Sequence, residues 1–475
     1  MFRIFTVFCF SLLLLFPAKA QSAGLKLSFE IQSHTDKPET LIKMGAKGGT
    51  TVLPKDTTKD IDVLLYPRSF VINDGASSTI YDFDKRQMLV VNQSEQTITP
   101  VSLFSIVVFR DLERRNRLGI ASIFDAAKIK PNADNPDLQI VRPVDIDMIF
   151  GSESNAKDTG AKIEKATAGG KTTFKSGTEL ANYTVSEVGV PAELQDSYKK
   201  FLLYYLQIHP VIKSSLSAEG RIFKSLEVNN NANYASSRNN YTFKNSIPVP
   251  ENTYVLPQNF KAQAVQVPSL NVVMQKANAT QSLSVDGYES KIENSIQSKQ
   301  YVDAALGLNE LLLAHSGKVE LYKPFLKKNV PVILQDKQAA MLMSAISSKP
   351  NSEEMLNNII SFMQTAKPQA REFGYLMDLF MANHIRTVYG QMRSLNAEQS
   401  QKMANTIPMF ISALEGNPRI AGIYVDLGNA YFKDFEMSNA WACWDQARLI
   451  DPDFPALANV KSFQDNALKN FPEFF

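Results

Sequence analysis

Cysteine is nearly missing from this chain. Its 475 residues include 2, Cys9 and Cys443, and Cys9 lies in an apolar leader, so a mature chain would keep one and form no internal disulfide. Thiolate zinc sites are excluded with it. Histidine is as sparse: His34, His209, His315 and His384 stand far apart, and no two have metalloprotease spacing. No Gly-x-Ser-x-Gly elbow for a serine nucleophile occurs. Ala168-Gly-Gly-Lys-Thr172 has part of the composition of a phosphate-binding loop, but Lys165 stands where the first glycine is required. Paired acids such as Asp145/Asp147 and Glu353/Glu354 read as solvated surface. The expectation is a non-enzyme with no cofactor, no metal and no catalytic residues.

Charge of one sign is also lacking. The chain has 50 basic and 48 acidic residues. Met1-Phe2-Arg3, an apolar run from Ile4 to Phe16, Pro17 and then Ala18-Lys19-Ala20 form the three-part layout of a secretory signal peptide over residues 1–20. The run is shorter than the roughly 20 apolar residues that span a bilayer, so cleavage after Ala20 is expected rather than anchorage. Cleavage takes Arg3 and Lys19 away, and 48 acids then balance the remaining bases. A neutral chain argues against general binding of nucleic acid. No later stretch reaches membrane-spanning length, so the product is expected to be exported and periplasmic, or secreted, with no integral membrane segment.

What is present is a 44% hydrophobic composition, enough for real cores, over a length that suggests two or three domains. An α+β multidomain chain is expected. From 21 to 265 the pattern is antiparallel and β-rich. Leu25, Leu27, Phe29 and Ile31 alternate, and strands follow at Asp60–Tyr66, Ser69–Asn73, Ser78–Asp82, Arg86–Val91, Arg221–Val228 and Asn240–Phe243. Two helices interrupt this half. One is capped by Thr99 or Ser102 and ends near Arg117, where Arg110, Arg114, Arg115 and Arg117 would be solvated at its C-terminus. The other starts at Pro191, with Leu194, Tyr198, Phe201, Leu202 and Tyr205 on one face. Residues 151–178, rich in Lys, Gly, Thr and Ser, read as a flexible insertion, and 266–280 as a linker. From 281 to 475 the pattern is all-helical, with helices at Glu353–Ala366, Gln369–Tyr389 and Ala397–Leu414.

One stretch is specific. Tyr424, Leu427, Gly428 and Tyr431 share one face of a first helix. Ala440, Trp444 and Ala447 share one face of a second, and Asp451-Pro452 ends it. Small residues thus fall where two antiparallel helices approach, and large ones where the groove needs filling. Residues 421–452 resemble a tetratricopeptide repeat (TPR), with Asp434 to Glu436 as its turn and 455–468 as a capping helix. Phe410, Ala413 and Pro418 match the second half of a preceding unit. The resemblance implies stacked neighbours and a groove that grips a protein or peptide partner, with Val425, Asn429 and Phe432 pointing into it.

The N-terminal half has exported strands, then Tyr81 to Val90, a Ser/Thr-led helix, a second helix and the Ala218–Lys224 strand. In that order it resembles the half-barrel of the periplasmic lipoprotein-carrier superfamily. That resemblance implies a curved sheet around helices, enclosing an apolar cavity for a lipid or lipoprotein. The expected function is protein–protein interaction in the cell envelope through the helical groove. Its rival is a carrier or sensor of a hydrophobic ligand in the β domain.

Overall fold

The computed structural model describes residues 24–35, 42–44, 49–51, 56–128, 142–155, 160, 162–230, 237–250, 256–392 and 394–475. The expected signal peptide, and the polar tip between the last two expected strands at 231–236, lie outside the described residues. The strands are β1 (Gly24–Thr35), β2 (Ile42–Met44), β3 (Gly49–Thr51), β4 (Asp56–Tyr66), β5 (Ser69–Asn73), β6 (Ser77–Asp82), β7 (Gln87–Asn92), β8 (Thr97–Ser102), β9 (Glu164–Ala168), β10 (Lys171–Ser176), β11 (Thr178–Gly189), β12 (Arg221–Asn230), β13 (Ser237–Val249) and β14 (Lys261–Ala262). Between them run α1 (Leu103–Ala127), α2 (Pro143–Phe150), α3 (Gln195–Tyr205) and α4 (Pro210–Ala218). The helical half follows: α5 (Pro268–Ala279), α6 (Val285–Gln297), α7 (Tyr301–Ala314), α8 (Val319–Ile333), α9 (Lys337–Ser347), α10 (Glu353–Ala366), α11 (Leu376–Tyr389), α12 (Ala397–Ala404), α13 (Thr406–Gly416), α14 (Ala421–Lys433), α15 (Met437–Ile450) and α16 (Leu457–Asn470).

Among the described residues of the N-terminal half, twelve strands form one sheet, in the order β14-β8-β7-β6-β5-β4-β1-β13-β12-β11-β10-β9, and β2 and β3 pair separately. Every pairing in it is antiparallel except β14 on β8. The sheet is open and does not close into a barrel. β1 lies at its middle because its alternating Leu25, Leu27, Phe29 and Ile31 can bury one whole face. That face is filled rather than hollow. Tyr198, Phe201 and Leu202 of α3 are buried against it, with the Phe29 ring 6.1 Å from Phe201 and 5.0 Å from Phe223. Ser197 Oγ donates to the Tyr66 carbonyl and ties α3 to β4. The enclosed acyl cavity implied by the carrier resemblance is therefore replaced here by stacked aromatic rings.

Three further expectations change. Residues 151–178 contain the β9–β10 hairpin, which extends the sheet. Its turn is Gly169-Gly170, with φ +57 and +77, and the buried Phe174 anchors it. The linker 266–280 is mostly α5, started by Pro268 in its first turn and buried through Leu270, Val273 and Met274. The helix Ala397–Leu414 is two, α12 and α13, parted at Asn405, with Pro408 in the first turn of α13.

The first interrupting helix is longer than its charge pattern suggested. α1 runs to Ala127, so the four arginines lie along its middle and are not a solvated end. Arg114 is buried and pairs with Asp147 of α2 at 2.8 Å, while Arg115 and Arg117 pair with Asp111 and Glu113 one turn back. Arg110 reaches the Gly151 carbonyl and lies 5.6 Å over the Phe474 ring; burial pulls its guanidinium down to about 10.

Helices of the sheet half reach into the core of the helical half, while the strands keep a core of their own. Phe104 and Val107 of α1, Leu203 of α3 and Val265 belong to the same buried cluster as Leu270, Leu427 and Trp444. The last residues fold back onto the sheet half. Tyr204 Oη donates to the Phe474 carbonyl at 2.9 Å, and Ser154 Oγ donates to Glu473 at 2.8 Å.

Candidate functional site

The helical hairpin is built as its small and large residues dictate. α14 and α15 pack against each other, and the Gly428 position leaves no room for a side chain. A Cβ there would lie 2.5 Å from Trp444 Nε1 and 3.1 Å from the Ala440 carbonyl oxygen. Tyr424, Leu427, Tyr431, Ala440, Trp444 and Ala447 are all buried, and Pro452 is exposed just beyond α15. Neighbours cover the pair: α7, α11 and α13 lie against α14, and α1, α16 and β8 against α15.

Those neighbours occupy the face expected to grip a partner. Val425 is 4% exposed and part of the core. Phe432 packs between Trp444 and Phe463, with ring centroids 5.6 and 5.3 Å away. Of the three residues expected in the groove, Asn429 alone is exposed. Stacking further helices around the hairpin buries both sides of α14, so two of the three residues serve cohesion and not binding.

An open site lies where the sheet meets the hairpin. β7 and β8 pair Met88 with Val101 and Val90 with Thr99, which puts these four side chains on one face of the sheet edge. Ile106 and Phe109, one turn apart on α1, form a second wall, and Val265 and Val267 of the extended segment after β14 a third. The α14–α15 turn closes the fourth side with Phe435 and Met437. Together they enclose a cleft of about 640 Å³ whose walls are mostly apolar, with Gln266, Glu436 and Asn439 as polar members. Pro100, Val101, Ala264 and Ser438 also line an adjoining second compartment of about 480 Å³, whose walls carry Arg86, Asp445 and Arg448.

Phe435 is the unusual member. Its φ is +61, in the left-handed region that glycine prefers, and its ring is 48% exposed. A bulky apolar side chain here gains little burial to offset its backbone strain.

The sparse chemistry-bearing residues stay apart. His34 meets Asp56 at 2.6 Å, His315 meets the Leu283 carbonyl at 2.8 Å, and His384 is buried. His209 accepts from the Val211 N–H at 3.3 Å, near the Arg114–Asp147 pair. Cys443 is fully buried, and burial pushes its thiol well up. Among the described residues no group of three or more His, Cys, Asp or Glu side chains is placed to hold a metal ion. None of their helices is long and apolar enough to cross a membrane.

The cleft was not legible in the sequence, because its walls come from four separate segments. The signal that could have marked it is Phe435, a large apolar residue in a three-residue turn.

Neither a protein-family model nor a curated protein sequence matches the chain. Among solved structures it is similar to one titled "Lipid-protein interactions in lipovitellin", at 10% sequence identity and a TM-score of 0.19. The alignment covers 96% of this chain and 57% of that one, so the chain spans less than two thirds of its length. A superposition that loose decides neither fold nor function.

Proposed function

We propose that the protein is an exported, non-catalytic binding protein of the bacterial cell envelope that takes an apolar ligand into the cleft between the sheet edge and the α14–α15 turn. The observation that carries this reading is Phe435, held half-exposed at φ +61 over an apolar cleft of about 640 Å³. Strain of this kind persists where the surroundings impose it, and it clusters at ligand sites. The cleft's size falls within the roughly 300–1,000 Å³ of small-molecule sites.

The reading keeps one part of each sequence resemblance. The hairpin that resembles a TPR supplies a wall rather than a peptide groove, because Val425 and Phe432 are used in packing. A hydrophobic ligand remains the cargo, but its seat moves from the sheet's filled inner face to the sheet's edge.

The test is titration of the full chain with the neutral dye Nile red, followed by fluorescence. One molecule should bind per chain. Val101→Glu, which puts a charge in the cleft, and Phe435→Gly, which removes a wall, should each weaken binding by about tenfold or more. Absent binding, or binding indifferent to both changes, would remove the cleft from consideration.

A further inference from the structure

The second compartment says what kind of molecule the cleft suits, provided the cleft is a ligand seat as proposed above. We infer that the ligand is a single-chain amphiphile with an anionic head, its alkyl chain in the apolar compartment and its head group on Arg86.

The argument starts from charge. The second compartment is lined by five charged side chains, and four are already matched. Asp84 pairs with Arg68 at 2.9 Å, Lys85 with Asp82 at 3.6 Å, and Asp445 with Arg448 at 2.5 Å. Arg86 has no ion pair among the described residues. Its guanidinium lies 5.9 Å over the Phe104 ring, facing the compartment. In this compartment one cation is therefore left for whatever enters. Glu436 stands on the wall of the apolar compartment, so an anionic head is seated at Arg86 and away from Glu436. A guanidinium presents the planar fork that suits a carboxylate or a phosphate.

Backbone geometry fixes where the Arg86 side chain, itself exposed, starts from. Arg86 is in the left-handed region, at φ +52, and its carbonyl accepts from the Leu103 N–H at 2.9 Å, at the start of α1. Left-handed residues of bulky type thus stand in both compartments of one cleft, Phe435 in the apolar part and Arg86 in the charged part. The first turn of α1 opens on the same compartment and contains no acid to oppose an anion.

The rival occupant is an extended peptide, and the sheet edge disfavours it. A peptide needs partners for its N–H and C=O groups. Strand β8 is already paired to β14 at Thr97 and Ile98, and Pro100, further along it, has no N–H to offer. An alkyl chain asks for no such partners, and apolar walls suffice.

The experiment is displacement of Nile red from the full chain by dodecanoate, dodecyl phosphate, dodecanol and dodecyltrimethylammonium. It is run on the natural protein, Arg86→Gln and Arg86→Lys. At least one of the two anions should bind about tenfold tighter than dodecanol, and the cation weakest. Whichever anion is preferred identifies the head as carboxylate or phosphate. Arg86→Gln should abolish the preference while leaving dodecanol unchanged, and Arg86→Lys should keep part of it. Equal binding of dodecanol and both anions, or a preference that survives Arg86→Gln, overturns the inference while the apolar cleft stands. Displacement by a hexapeptide such as Leu-Val-Leu-Val-Leu-Phe, with no effect of any dodecyl compound, also overturns it. If Nile red itself does not bind, the inference falls together with the reading beneath it.

Discussion

Phe435 and Asp426 are two residues on which the surroundings impose an unfavourable state, and each yields a prediction of definite sign. A non-glycine residue in the left-handed region costs about 1–2 kcal/mol, while glycine there loses roughly 0.5–1 kcal/mol of chain entropy on folding. The first effect is the larger. Phe435→Gly should therefore raise unfolding free energy by up to about 1 kcal/mol in urea titrations, while it weakens dye binding. Loss of stability would mean that the Phe435 ring contributes more to packing than its 48% exposure suggests. For Asp426, burial on α14 holds the carboxyl up at about 6 against an ordinary 3.8, partly relieved by Asn383 Nδ2, which donates to it at 2.8 Å. Below about pH 4 the group is protonated in both folded and unfolded chains, and burial is harmless. Above about pH 6 it is charged in both, and the folded chain bears a penalty of about 2–3 kcal/mol. Its contribution thus makes stability fall as pH rises from 4 to 6. Asp426→Asn should match the natural protein at pH 4 and exceed it by that amount at pH 7; equal curves would refute the assignment.

Among the elements, the α14–α15 hairpin is held by a contact with no slack. Alanine at position 428 would gain up to about 1 kcal/mol of helix propensity. Its Cβ, however, would have to displace the buried Trp444 ring and approach the Ala440 carbonyl, and overpacking of this kind costs about 1–3 kcal/mol. Gly428→Ala should be destabilising in chemical denaturation, and a neutral or stabilising outcome would show the helices free to separate. This hairpin was legible in the sequence because both helices carry their packing residues locally, at fixed spacing. The same was true of β1 and α10, whose periodicities are strong. The β9–β10 hairpin was not, since its exposed strand offers no alternation and a single Phe174 supplies the anchor. Its Gly169-Gly170 turn is the available signal.

At the scale of the whole molecule, the β-rich and helical halves are tied together by packed residues. α1, α3 and the C-terminal residues bridge the sheet's core and that of the helices, through partners hundreds of positions apart that no local pattern reveals. Phe474→Ala tests this. Phe474 is 2% exposed and meets Tyr204 edge-on at 5.4 Å, so its truncation should cost about 3–5 kcal/mol. Far-UV signals from the sheet and from the helices should move together, in a single transition. The cleft exists only because of this joining, since its walls belong to the sheet edge, α1 and the hairpin turn. Its use is tested most directly by amide hydrogen exchange on the full chain with and without dodecanoate. The account predicts protection at residues 101–106, 264–267 and 435–439 together; protection confined to the sheet's inner face or to the helices remote from the cleft, or none at saturation, would contradict it.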